Sequence, residues 1–148
     1  MEQAIRELLD AADDAEHVEY PLGFDGFALQ ARVTALQPVL ERIAGCAFVL
    51  DDGAQDASFF GDLSVHISGE RPNYIDTIFA VRFSNFGNLF TTWHTIDGMP
   101  DAVAAELVAA VEVAGFRFVP PSALEEAYTG RYLGFRNTTW WIRFFDYL

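Results

Sequence analysis

The chain contains no lysine, a single cysteine and only three histidines, and these shortages narrow the kinds of protein it can be. A lone cysteine cannot form an internal disulfide, and Cys46 opens an apolar run, which predicts a buried, unreactive thiol. No apolar run approaches the ~20 residues needed to span a bilayer. Residues 1–7 lack the basic and apolar regions of a signal peptide. Together these features predict a cytoplasmic protein with no membrane partner.

The charge of the chain is strongly one-sided. Nine arginines face 22 acidic residues, so the formal net charge is −13. This negative field repels nucleic acid and anionic membranes and attracts a basic protein. The excess of acidic residues therefore has two possible explanations. It attracts a basic partner, or it keeps a protein with 14 phenylalanines in solution. Residues 1–112 hold 19 of the 22 acids, which predicts that the acidic surface comes from this part of the chain.

The composition and periodicity predict one α+β domain over residues 1–148. Half of the residues are apolar, so the chain can bury a sizeable core. Apolar residues at helical spacing predict helices, over residues 2–15, 27–44 with a kink or break at Pro38, and 100–114. Short apolar or alternating runs predict strands, over residues 46–50, 58–68, 74–84, 89–95 and 116–119. The expected core is an antiparallel sheet of about four to five strands with helices packed on it.

The C-terminal part of the chain has two further signals. Ser122 and Glu125 have the spacing of a capping box, which predicts a short helix. Residues 137–148 are dense in aromatic side chains and favour a helix capped by Thr138, with a strand as the alternative. This tail either packs on the sheet or presents Trp140 and Trp141 to a second copy or another partner, because exposed aromatic clusters usually mark contact surfaces.

No motif compels a reaction. There is no nucleophile elbow, no phosphate-binding glycine loop and no metal-ligand spacing, so neither a metal nor a cofactor is expected. The acidic turn from Asp51 to Asp56 lacks the ligand pattern of a calcium loop. If the strands at 58–68 and 89–95 lie side by side, they bring together one candidate cluster for catalysis or ligand binding. Its members are Asp62, His66, Arg82 and His94.

Three functions are compatible with these observations. The first is a non-enzymatic binding protein for a basic protein partner, of the kind that neutralises a toxic protein, as immunity proteins and antitoxins do. The second is a small enzyme or ligand-binding domain that uses the cluster above, and the third is a homodimer assembled through the tail. For the first function, the candidate partner-binding residues are the acids Glu7, Asp10, Asp13, Asp14, Asp51, Asp52 and Asp56, with Trp140 and Trp141.

Overall fold

The computed structural model describes residues 1–68 and 75–148 and has an α+β fold. Its elements in chain order are helix α1 (Gln3–Ala12), helix α2 (Gly26–Ala44), strands β1 (Val49–Asp51), β2 (Phe59–Ser68), β3 (Ile75–Ser84) and β4 (Leu89–His94), helix α3 (Asp101–Val113), strand β5 (Arg117–Phe118), and helices α4 (Pro121–Leu124) and α5 (Trp140–Phe145), with a 3-10 turn at Leu133–Phe135. Tyr74, which begins the third predicted strand, lies outside the described residues. No helix of the described chain is long and apolar enough to cross a membrane.

The sheet has five strands in the order β1-β2-β3-β4-β5. The predicted antiparallel meander is confirmed for β1 to β4, whose neighbours all pair antiparallel. Strand β5 differs, because α3 carries the chain back across the sheet and β5 then pairs parallel with β4. Val81 of β3 pairs with Leu63 of β2 on one side and with Thr92 of β4 on the other. Because directly paired residues point to the same face of a sheet, these three side chains lie on one face.

Two buried clusters cover the sheet. On one face α2 and α3 pack against alternate residues of β2, β3 and β4, including Leu63, Phe79 and Phe83. The other cluster joins α1, α4, the 3-10 turn and α5 around Phe86 and Trp140. Helices therefore lie against both faces, and the C-terminal tail belongs to the interior.

Three local predictions need correction. Cys46 is exposed, because Gly45 ends α2 in the left-handed region (φ 71°) and the chain re-enters the core only at Phe48. Of the two alternatives predicted at Pro38, the division into two short helices is wrong, because α2 runs as one helix past this exposed residue. Helix α4 begins after Pro120 without the predicted side-chain cap, since Pro121 already supplies a suitable first-turn backbone.

The tail is helical, as favoured from the sequence, and its cap is one residue later than expected. Thr139 rather than Thr138 accepts a hydrogen bond from the Ile142 amide, at 3.4 Å. Trp140 is fully buried and stacks on Phe144. The indole of Trp140 is therefore a core group in this fold and is not available to a partner.

Candidate functional site

Asp62 and Arg82 form an internal ion pair between neighbouring strands. Arg82 Nε and Nη2 donate to the two carboxylate oxygens of Asp62 at 2.8 and 3.0 Å, and Nη1 donates to the Phe145 carbonyl at 2.9 Å. The guanidinium also lies 3.9 Å from the ring centroid of Phe59. Its donors are thus used to attach the tail to the sheet, and the Asp62 carboxylate is committed as an acceptor.

The two histidines of the predicted cluster lie apart. The condition on which the cluster depended, adjacent strands β2 and β4, is not met, because β3 lies between them. His66 uses both ring nitrogens, 2.9 Å from Ser64 Oγ and 3.0 Å from Thr77 Oγ1. His94 is on the α3 side, where its Nε2 lies 2.7 Å from Asp101. The four residues therefore do not share one pocket.

Asp13 is not a surface acid, contrary to the prediction, because it is 4% exposed at the end of α1. Its Oδ1 accepts from Arg143 Nε at 2.8 Å, and its Oδ2 accepts from the Tyr128 hydroxyl and the Arg131 amide, each at 2.7 Å. Arg143 comes from α5 and is itself fully buried. The Asp13 carboxylate is therefore committed to contacts inside the fold and cannot steer a partner.

Tyr128 gives the buried network a measurable pH dependence. Burial, followed by the hydrogen bond to Asp13, raises the pKa of this phenol from 10.0 to about 12. Because folding favours the neutral phenol, its stabilising contribution is complete below pH 10 and is lost as the pH rises toward 12. We expect the free energy of unfolding to decrease over this interval in urea titrations. Tyr128→Phe should remove that part of the decrease, whereas Tyr20→Phe, at an exposed tyrosine, should keep it.

The remaining predicted acids differ in how freely they face solvent. Asp14 is half-buried. The pKa of its carboxyl is lowered below 3.8, mainly because the Glu16 amide donates a hydrogen bond to it, and His17 also contributes. Glu7 and Asp10 are exposed on α1. Asp51, Asp52 and Asp56 are exposed at the end of β1 and in the segment that leads to β2. The free acids thus form two groups, one on α1 and one in residues 51–56.

The second acidic group borders a groove with a volume of about 610 Å³. We call it the aromatic groove. Its lining residues are Glu19, Tyr20, Phe24, Gly26, Phe27, Gln30, Asp52, Ala54, Gln55, Asp56, Ala57, Phe59, Phe60 and Asn85. Tyr20 is 52% exposed and stacks on Phe24, with ring centroids 5.6 Å apart, and Phe27 is 87% exposed. Three carboxylates also line it, from Glu19, Asp52 and Asp56, and none of its described lining residues is basic.

Local contacts hold the walls of the aromatic groove in place. Asp25 caps α2 by accepting from the Ala28 amide at 3.0 Å, which fixes the direction of the helix beside Phe27. The side-chain amide of Asn85 donates to the carbonyls of Glu19 and Ala57, at 2.9 and 3.3 Å, and so connects the two walls. Gln30 donates to Asp52 at 2.7 Å. The groove is therefore a preformed part of the fold.

The sequence reasoning missed the aromatic members of this groove. Phe27 carried a signal, because it lies two residues before Leu29 and thus points away from the apolar stripe of α2. No local pattern placed Tyr20 and Phe24 beside the acids of residues 51–56. Their proximity depends on Asn85, which is 66 positions from Glu19 in the chain.

Comparisons with family models, curated proteins and solved structures gave no significant match to this chain. Within residues 1–68 and 75–148, no group of three or more His, Cys, Asp or Glu side chains is arranged to hold a metal ion.

Proposed function

We propose that this chain is a non-enzymatic binding protein for a basic protein partner, and that the aromatic groove receives a lysine or arginine side chain of that partner. The supporting observation is the combination of exposed aromatic rings with three carboxylates in one concave site. The intracellular neutralisation of a toxic basic protein, as immunity proteins and antitoxins perform it, is the role that we infer for this binding.

The groove chemistry suits a cation better than an apolar or anionic ligand. A guanidinium or ammonium over Tyr20 or Phe27 gains about 0.5–1 kcal/mol at an exposed site and about 2 kcal/mol when water is excluded. The carboxylates of Asp52 and Asp56 add charge complementarity at the rim. A large ring such as Phe27, 87% exposed beside other aromatics, is also typical of a contact surface.

The rest of the acidic surface attracts a basic protein over a longer distance than the groove does. The formal charge of −13 attracts a basic protein from beyond the contact distance, and the exposed acids of α1 and of residues 51–56 contribute to it. Surface charges act mainly on the association rate, because they orient the encounter, and salt screens them over ~8 Å. The groove contacts should instead control dissociation.

A pair of fluorescein-labelled peptides tests the proposal. One is Gly-Gly-Arg-Arg-Gly-Gly, and the other carries uncharged citrulline at both arginine positions. We expect the arginine peptide to bind and the citrulline peptide to bind at least about fivefold more weakly, since only the first offers cations. Phe27→Ala should weaken the arginine peptide about threefold or more. Its stability should change by no more than about 0.5 kcal/mol, because Phe27 is exposed.

Matched controls separate groove recognition from net charge. Neutralising Asp51, Asp52 and Asp56 together removes three charges beside the groove, and neutralising Asp97, Glu106 and Glu112, also exposed, removes three elsewhere. Only the first set should strongly lower the association rate and its salt dependence, measured by stopped-flow fluorescence. Val113→Ala, at another exposed apolar residue, is the control for Phe27→Ala. Equal effects of the two charge sets, or equal binding of both peptides, would contradict the proposal.

A further inference from the structure

A short antiparallel pairing joins the end of the tail to the segment that leads to β2. The Leu148 amide donates to the Asp56 carbonyl at 2.8 Å, and the Ser58 amide donates to the Asp146 carbonyl at 3.0 Å. Both hydrogen bonds are between backbone groups, so they fix the main chain of the two segments against each other. We call residues 146–148 the pairing segment.

The stretch that the pairing segment contacts is also held from its other side. Asn85, which lines the aromatic groove, donates from its side-chain amide to the Ala57 carbonyl at 3.3 Å and from its backbone amide to the Ser58 carbonyl at 3.0 Å. Ala57 in turn forms an antiparallel bridge with Tyr147. Residues 56–58 therefore lie between Asn85 and the pairing segment, and contacts on both sides fix their backbone.

The pairing segment is itself attached to the sheet. Arg82 donates to the Phe145 carbonyl at 2.9 Å, directly before the segment begins. Tyr147 packs edge-on against Phe59, with ring centroids 5.0 Å apart, and Phe59 is 3% exposed. Because these contacts reach the interior of the fold, the pairing segment is a fixed support for residues 56–58.

Asp56 has a backbone conformation that requires support. Its φ is 50°, in the left-handed region, which residues with a side chain adopt uncommonly, although aspartate is among those that tolerate it best. Such a conformation persists where the surrounding contacts determine it, and the hydrogen bond from the Leu148 amide is one of these contacts. The exposed side chain of Asp56, which lines the aromatic groove, therefore takes its direction from a backbone that the pairing segment holds.

We propose that Leu148 is a positioning residue of the aromatic groove, because its backbone amide holds the Asp56 carboxylate where the partner's basic side chain enters. This inference rests on the proposed function and adds to it how one wall of the groove is set. Asp52 has a different support, since Gln30 donates to its side chain at 2.7 Å. An ion pair weakens as its charges move apart, and an exposed pair at good geometry changes affinity by up to about fivefold.

Two substitutions at Leu148 separate its backbone amide from its side chain. Leu148→Pro removes the donor to the Asp56 carbonyl, whereas Leu148→Ala keeps that donor. We expect Leu148→Pro to weaken binding of the peptide Gly-Gly-Arg-Arg-Gly-Gly about threefold, and Leu148→Ala to bind it as the parent protein does. Both melting temperatures should stay within about 3 °C of the parent value, because Leu148 is 45% exposed.

The kinetics distinguish a displaced charge from a lost one. Leu148→Pro keeps every charge of the protein, so the association rate and its salt dependence should remain as in the parent protein. The dissociation rate of the arginine peptide should rise about threefold instead, because the contact within the groove is weakened. Stopped-flow fluorescence measures both rates.

A double variant tests whether the effect passes through the Asp56 carboxylate. Asp56→Asn removes the charge but keeps a residue type that tolerates a left-handed φ. In this background Leu148→Pro should weaken the arginine peptide by less than about 1.5-fold, since no charge is left to position. In the background of Asp97→Asn, at an exposed acid that does not line the groove, the threefold effect should remain.

A measurement without peptide separates this inference from the proposed function. In nuclear magnetic resonance spectra of the free protein, the backbone signals of Asp56 should change in Leu148→Pro and stay as in the parent protein in Leu148→Ala. Unchanged Asp56 signals or parent-like peptide binding in Leu148→Pro would overturn the inference alone, and so would an equal loss of binding in the two acid backgrounds. If the parent protein does not bind the arginine peptide, the proposed function fails and this inference fails with it.

Discussion

Replacing Arg143 with methionine is expected to lower the free energy of unfolding by about 3–5 kcal/mol. Methionine roughly keeps the length and apolar contacts of the side chain but leaves the carboxylate of Asp13, 4% exposed, without its ion-pair partner. It also removes the donors that reach the carbonyls of Asp14, His17 and Val18, at 3.0, 2.9 and 3.3 Å. An uncompensated buried charge is among the costliest single defects in a protein.

Urea denaturation at neutral pH measures this loss. Arg136→Met is the matched control, because Arg136 is exposed, and its stability should change by no more than about 0.5 kcal/mol. Adding Asp13→Asn to Arg143→Met should recover part of the loss, since the second substitution removes the unpaired charge. If Arg143→Met remains within about 1 kcal/mol of the parent protein, the pair is not the main connection between α1 and the tail.

The same ion pair shows where sequence reasoning reaches its limit. Asp13 and Arg143 are 130 positions apart, and neither residue has a local pattern that indicates the other. Asp13 follows the acidic face of α1, so its sequence neighbours predicted exposure. Asp13 is buried because α5 packs against it in the folded protein. The hydrophobic periodicity of a segment does not show which distant charge its side chains will contact.

Elements with strong periodicity were predictable. Strands β2 to β4 and helix α3 follow from apolar spacing, because burial of one face requires that spacing. The parallel pairing of β5 was not predictable, since Arg117–Phe118 is too short to specify its neighbour. Cys46 was misplaced for a related reason, because an apolar run does not show where a turn at Gly45 releases the chain.

The candidate sites divide in the same way. The acids at Asp51, Asp52 and Asp56 were found from composition, because exposed turns favour acidic residues. The aromatic rings beside them were not, because Tyr20 and Phe24 reach these acids only through the packing of distant segments. Sites made by several distant segments become visible only when the register and the packing of the sheet are known.

Deleting residues 138–148 is expected to abolish the folded state. The deletion removes Trp140, Phe144 and Phe145, all fully buried, together with Arg143. Three buried aromatic side chains of ~150 Å² each contribute about 11 kcal/mol at ~25 cal/mol per Å². That contribution rivals the whole net stability of a domain, about 5–15 kcal/mol. Near-ultraviolet circular dichroism and dye binding should show lost tertiary packing.

Deleting only Tyr147 and Leu148, 59% and 45% exposed, should leave a cooperative unfolding transition, because the buried aromatics and Arg143 stay in place. A truncated chain that keeps the parent melting temperature would show that the tail is not part of the core, and its aromatic residues would then be available for contact with a partner.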